Sequence, residues 1–155
     1  MAESLYYADV LIWSERQADL LRRLAAGERV NAEVDWANVI DEVESVGRSE
    51  LHAVESLLFQ ALVHLLKLQA YSRSDSAPHW RAEARAFLTG ARRRFSPSMR
   101  GRVSLPALHR DAVEAASAAY PEVALWDPDS CPFTLDELLG GAGQVAALLA
   151  ASSVR

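Results

Sequence analysis

At 155 residues, half of them hydrophobic and 24% charged, the chain is long enough to bury a core unaided and too apolar to stay disordered. A single cysteine, Cys131, excludes an intrachain disulfide and fits a reducing, cytoplasmic setting, while a net charge of −5 argues against general nucleic-acid affinity. Glu3 and Asp9 stand where a secretory signal needs positive charge and then apolarity, and no apolar stretch reaches the roughly 18–20 residues of a membrane span, so no membrane association is expected.

Glycine and proline are few, alanine and leucine many, and β-branched runs almost absent. The chain therefore reads as all-α: a single-domain bundle of about four long helices with short capping helices over residues 1–140, then a flexible or weakly helical tail over 141–155. The first helix is expected from Leu5 or Asp9 to Ala26, with Tyr6, Val10, Trp13, Leu20, Leu21 and Leu24 on its inner face. Arg22 and Arg23 suit its last turn, and Gly27 suits the residue beyond its end. Residues 28–34 read as a short polar connection.

Asp35 is an N-cap candidate, and Trp36, Val39, Ile40, Val43 and Val46 form a stripe expected to press on a core. Gly47 and a capping Ser49 favour a helix break there. Yet Leu51, Val54, Leu57, Leu58, Ala61, Leu65 and Leu68 keep the phase of the preceding stripe, which favours a continuous helix. Continuity would turn Glu50 into the apolar face, at a cost for an unpaired carboxylate. Residues 49–70, apolar on most sides with Ser56, Gln60, His64 and Lys67 as a narrow polar strip, read as the centre of the bundle.

Tyr71 to Ala77 is turn chemistry, and Pro78 suits a helix start. Trp80, Ala84, Phe87, Leu88, Ala91 and Phe95 then recur at helical spacing, with Arg81, Arg85 and Arg92 on one line beside them. A short piece follows Ser96-Pro97, and Leu108, Ala112, Ala115 and Ala119 are expected to form the inner face of another helix. Residues 121–133 read as a loop, and Thr134-x-x-Glu137 is a capping box. Gly140, Gly141 and Gly143 loosen the chain before its last segment.

Charge is distributed unevenly. Between Arg73 and Arg110 nine arginines face two acids, a net of +7, which leaves −12 for the rest. Three functional readings follow. Glu42, Glu44, Arg48, Glu50, His64 and Lys67 form a candidate polar cluster, and His64 with nearby carboxylates is the most plausible start of a metal- or ligand-binding enzyme. Arg81, Arg85, Arg92, Arg93 and Arg94 form a candidate basic surface, within a region reaching Arg102, that suits phosphates or internal carboxylate forks. No nucleophile is paired with a base, no Glu-x-x-His occurs, and His52/Glu55 and His79/Glu83 are isolated pairs, so no catalytic residue, metal or cofactor is assigned. A non-catalytic protein-interaction or small regulatory module, with a protein partner or a second copy, is the leading expectation.

The run Asp35, Asn38, Glu42, Glu44-Ser45, Gly47-Arg48-Ser49-Glu50 precedes His64-Leu65-Leu66-Lys67, Trp80, Ser96-Pro97-Ser98 and Cys131-Pro132-Phe133-Thr134-Leu135. With Tyr6, Asp9 and Trp13 in front, this resembles the bacterial domain-of-unknown-function family 29 over nearly the whole chain. The resemblance implies a small, all-helical, cytosolic protein and carries no assigned activity. Leu68 and Asp41 depart from the pattern, and residues 103–125 match it only as an alanine-rich helix.

Overall fold

A computed structural model describes residues 4–140 and 144–152, and among them there is no strand. Seven helices follow in order: α1 Leu5–Ala8, α2 Val10–Ala25, α3 Trp36–Ala70, α4 Ala77–Arg94, α5 Leu105–Ser117, α6 Leu135–Leu139 and α7 Gln144–Ser152. Short 3-10 turns at Asn31–Glu33, Pro97–Met99 and Pro121–Leu125 link them. The four long helices are thus α2 to α5. Where one domain was expected over residues 1–140, the chain groups into two compact units, 1–48 and 49–155, and α3 runs through both.

In the first unit Asp9 ends α1 and caps α2, its carboxylate accepting from the Ile12 amide at 3.1 Å. Gly27, at φ 89, closes α2: its amide reaches the Leu24 carbonyl and the Glu28 amide the Arg23 carbonyl. This paired arrangement needs a left-handed residue, which glycine supplies without a Cβ penalty. The small core is Leu20 with Val30 and Val34, backed by Leu21, Leu24 and Val39. The connection expected to be merely polar therefore contributes two buried valines. Val10, expected inside, is 56% exposed.

Helix α3 passes through Gly47 without a break. The cost foreseen for Glu50 is avoided because it pairs with Arg94 of α4, both carboxylate oxygens 3.1 Å from Nη1. In the second unit Leu58, Leu62, Leu65 and Leu66 of α3 are fully buried, with Ala84 and Ala91 of α4 and Ala112 of α5. Gly90 lets α4 approach α3 closely, since a Cβ there would sit 3.3 Å from Leu57 Cδ1. By length and composition, an 18-residue window of α3 is apolar enough to cross a membrane, contrary to the expectation that no stretch reaches that length. These leucines account for that apolarity as core.

Helix α5 buries Leu105, His109, Ala112, Val113 and Ala116, whereas Ala115 and Ala119 of the expected inner face are exposed. Thr134 and Glu137 form the expected capping box, each side chain bonded to the other's backbone amide. Of the expected tail, residues 141–143, with Gly141 and Gly143, and residues 153–155 lie outside the described residues. Helix α7 buries Val145 and Leu148 in the core of the second unit.

Two substitutions in α3 separate packing from helix propensity. Leu62→Ala removes a fully buried side chain and is expected to cost about 2–5 kcal/mol in urea unfolding. Gly47→Ala meets no atom within 4 Å, and in dilute solution it is expected to stabilise by about 0.5–1 kcal/mol.

Candidate functional site

Several residues that carry the family resemblance meet in the first unit. The Tyr6 hydroxyl donates to Glu42 Oε1 at 2.6 Å, and the Tyr6 ring stands edge-on to Trp13 with centroids 4.8 Å apart. Trp13 Nε1 donates to Asp35 Oδ2 at 3.0 Å, and Asn38 Nδ2 donates to the same oxygen at 2.7 Å. Gln17, buried in α2, accepts from the Asp35 amide at 2.8 Å. Ser45 donates to Glu42 at 3.3 Å. The carboxylate of Asp35 is held below its ordinary pKa by donors, Asn38 first and then Trp13. Loss of its charge would disrupt the clamp between α2 and α3.

Asp35, Asn38, Glu42 and Ser45 are spaced three or four residues apart and so share one side of α3 or its cap. Trp36, Ile40, Val43 and Gly47 keep the same spacing and, at 100° per residue, fall on the opposite side. That side is bare. Trp36 is 39% exposed, Ile40 53%, Val43 70% and nearby Val46 65%. The stripe expected to press on a core does so only at Val39. Hydrophobic periodicity reports that a helix has an apolar side, and it is silent on what covers that side. Trp36 is held in place by its indole N–H, which donates to the Asn31 carbonyl at 3.1 Å. Arg48 bridges Asp41 at 3.2 Å and Glu44 at 3.4 Å along the flank of this face.

The members of the candidate polar cluster divide between the two units, and each has contacts within its own. Glu42 is taken by Tyr6, and Glu44 and Arg48 by each other and Asp41. In the second unit Glu50 pairs with Arg94, fourteen residues or about 21 Å along the helix from His64. His64 Nδ1 donates to the Gln60 carbonyl at 2.8 Å, and its ring packs against Phe87. Lys67 places its ammonium 4.9 Å from the Tyr120 ring centroid and 5.5 Å from that of Trp80, and desolvation lowers its pKa. Among the described residues no group of three or more His, Cys, Asp and Glu is placed to hold a metal ion.

Only Arg94 of the five candidate arginines makes an ion pair among the described residues, so carboxylate forks do not absorb this surface. Arg81, Arg85 and Arg93 line a shallow open groove of about 690 Å³ over Ala82, Ala86, Thr89 and Gly90. Trp80, next to Arg81 in the chain, is buried at 6% exposure and offers no platform for a base. Burial raises the pKa of Cys131, whose thiol donates to the Phe133 carbonyl at 3.4 Å. His109, which the sequence did not single out, is wholly buried. Its Nδ1 donates to the Pro128 carbonyl at 3.1 Å, while Nε2 has no hydrogen-bond partner. In an alanine-rich helix no periodic signal marks it as inward.

Residues 5–142 match the family described as "Domain of unknown function DUF29". The fold is similar to the crystal structure of an alpha-helical protein of unknown function from Rhodospirillum rubrum, with 27% identity and a TM-score of 0.71 over 96% of this chain and 97% of that one. No curated protein matches the chain.

Two titrations test these contacts, one in each unit. The Tyr6 hydroxyl is pushed up to about 12, first because it donates to Glu42 and an ionised phenolate would lose that bond. Ring resonances followed by NMR are expected to show Glu42→Gln returning Tyr6 toward about 10. His64 is lowered from 6.5, first by burial, so the unfolded chain takes up its proton before the folded one does. Its contribution is thus fully present above pH 6.5 and lost as pH falls through that value toward the folded pKa. Between about pH 7.5 and about pH 5.5, wild-type urea stability is expected to fall by more than that of His64→Phe; equal slopes in the two proteins contradict this.

Proposed function

We propose that this chain, which belongs to the DUF29 family, is a non-catalytic protein-interaction module of the bacterial cytoplasm. One observation carries the reading: the bare apolar side of α3 in the first unit, where Ile40, Val43 and Val46 are each more than half exposed. Valine and isoleucine in water contribute nothing to folding, and a contiguous run of them suits contact with another surface. The clamp on the opposite side supports the same reading, because it holds this stretch of α3 rigidly and so lowers the entropy lost on binding. Its polar groups are engaged with one another, as in a structural network. The half-buried, unpaired Cys131 is consistent with a reducing compartment.

A second reading, contact with a polyanion, is supported by Arg81, Arg85 and Arg93, which line one groove and form no ion pair among the described residues. It ranks below the first because no exposed aromatic accompanies them. It predicts binding to single-stranded nucleic acid that weakens steeply with salt and disappears in Arg81→Ala plus Arg85→Ala. Salt-insensitive binding, or none, removes it.

For the main reading, capture at physiological salt is compared between the wild type and a Val43→Lys chain whose helicity is unchanged. A protein partner, this chain included, is expected to be retained by the wild type and lost on substitution, then to bind directly once purified. Identical captured sets from the two chains reject the proposal.

A further inference from the structure

Within the interaction reading above, we infer that the occupant of the bare face is a second copy of the same chain. The two copies of α3 would pack antiparallel about a two-fold axis, with Trp36 of each copy over Gly47 of the other. Gly47 is the starting point. A glycine inside a helix is less favourable than alanine, and its usual justification is the close approach of a neighbour. Gly90 has that justification in Leu57. Gly47 does not, since a Cβ there would meet nothing within 4 Å. It is a hollow in the exposed stripe with no internal use.

The same stripe carries the matching projection. Trp36 is its largest side chain, fixed by the bond to Asn31 and 39% exposed. Eleven residues, about 16 Å of helix, separate it from Gly47. A two-fold axis passing between them sets projection against hollow at both ends at once and brings Ile40 onto Val43 twice in the middle. A two-fold axis midway between two positions of one helix pairs them reciprocally, so a projection and a hollow on the same face meet at both ends of an isologous contact.

Area and charge agree. Weighted by side-chain size, the exposures of Trp36, Ile40, Val43 and Val46 amount to on the order of 400 Å² of bare apolar surface. A stable interface takes about 800 Å² per partner, somewhat more than half of it apolar. Antiparallel pairing opposes the helix dipoles, and Glu42 lies on the far side, already bonded to Tyr6. Asp41 and Glu44 on the flank disfavour an anionic lipid surface.

The test uses the full chain in sedimentation equilibrium across a concentration series. The wild type is expected to dimerise and Val43→Lys to be monomeric. Gly47→Leu fills the hollow and is expected to weaken the dimer roughly tenfold or more. Gly47→Ala is the decisive variant: it should weaken the dimer while raising monomer stability in dilute urea unfolding, a pairing that damage to the fold cannot produce. In a Cys131→Ser background, mixing equal amounts of Ile40→Cys and Val43→Cys chains should give mixed disulfide dimers well beyond the roughly twofold excess over either symmetric product that random pairing yields. A wild type that stays monomeric overturns the inference, as does a dimer indifferent to Val43→Lys or to filling Gly47. Binding to anionic vesicles by a monomeric chain also overturns it. If a monomeric wild type binds a purified foreign protein through Val43, the second copy is wrong and the interaction module stands.

Discussion

A 35-residue helix is about 52 Å long and carries its apolar stripe the whole way, so something must cover that stripe or water will. In the second unit Val54, Leu58, Ala61 and Leu65 are wholly buried in a core that also holds side chains of α4, α5, α6 and α7. In the first unit α1 and α2 lie on the polar side of α3, held by Tyr6, Trp13, Gln17 and Asp35. Hydrogen bonds to carboxylates there do what hydrophobic burial does in the second unit. The other side is left to solvent or to a partner, and both the proposed function and the inferred dimer follow from that division.

The polar clamp also explains why the acidic run of α3 is tolerated. Asp41 and Glu44 are offset by Arg48, Glu42 by the Tyr6 hydroxyl, and Glu50 by Arg94. These exposed pairs are each worth little. Through them each of these four carboxylates has a partner. Lys67 is treated similarly, by the faces of Trp80 and Tyr120 rather than by an acid.

Local chemistry was legible wherever one residue type has one strong use. Thr134 caps a helix, Gly27 takes a left-handed conformation, and Pro78 opens α4. The inner stripe of α4, with Trp80, Ala84, Leu88 and Ala91, was also readable, because its other sides are charged. Legibility failed where the signal was flat. Alanines at 107, 112, 115, 116, 118 and 119 give α5 no clear phase, so its true inner face, with a buried His109, sits one position away from the expected one. Gly47 failed differently, since its penalty is smaller than the gain from uninterrupted packing on either side of it.

The sequence by itself determined an all-helical chain, its element order, the core in residues 49–70 and the family, because propensity, periodicity and capping act over a few residues and leave a local record. Tertiary structure alone decided which part of the apolar stripe of α3 is buried, what Glu42 and His64 each bond to, and which arginine finds a carboxylate. Those outcomes depend on what stands across from each side chain, and helical spacing fixes only the direction in which a side chain points. The same stripe thus serves as core beside α4 and as open surface beside α2.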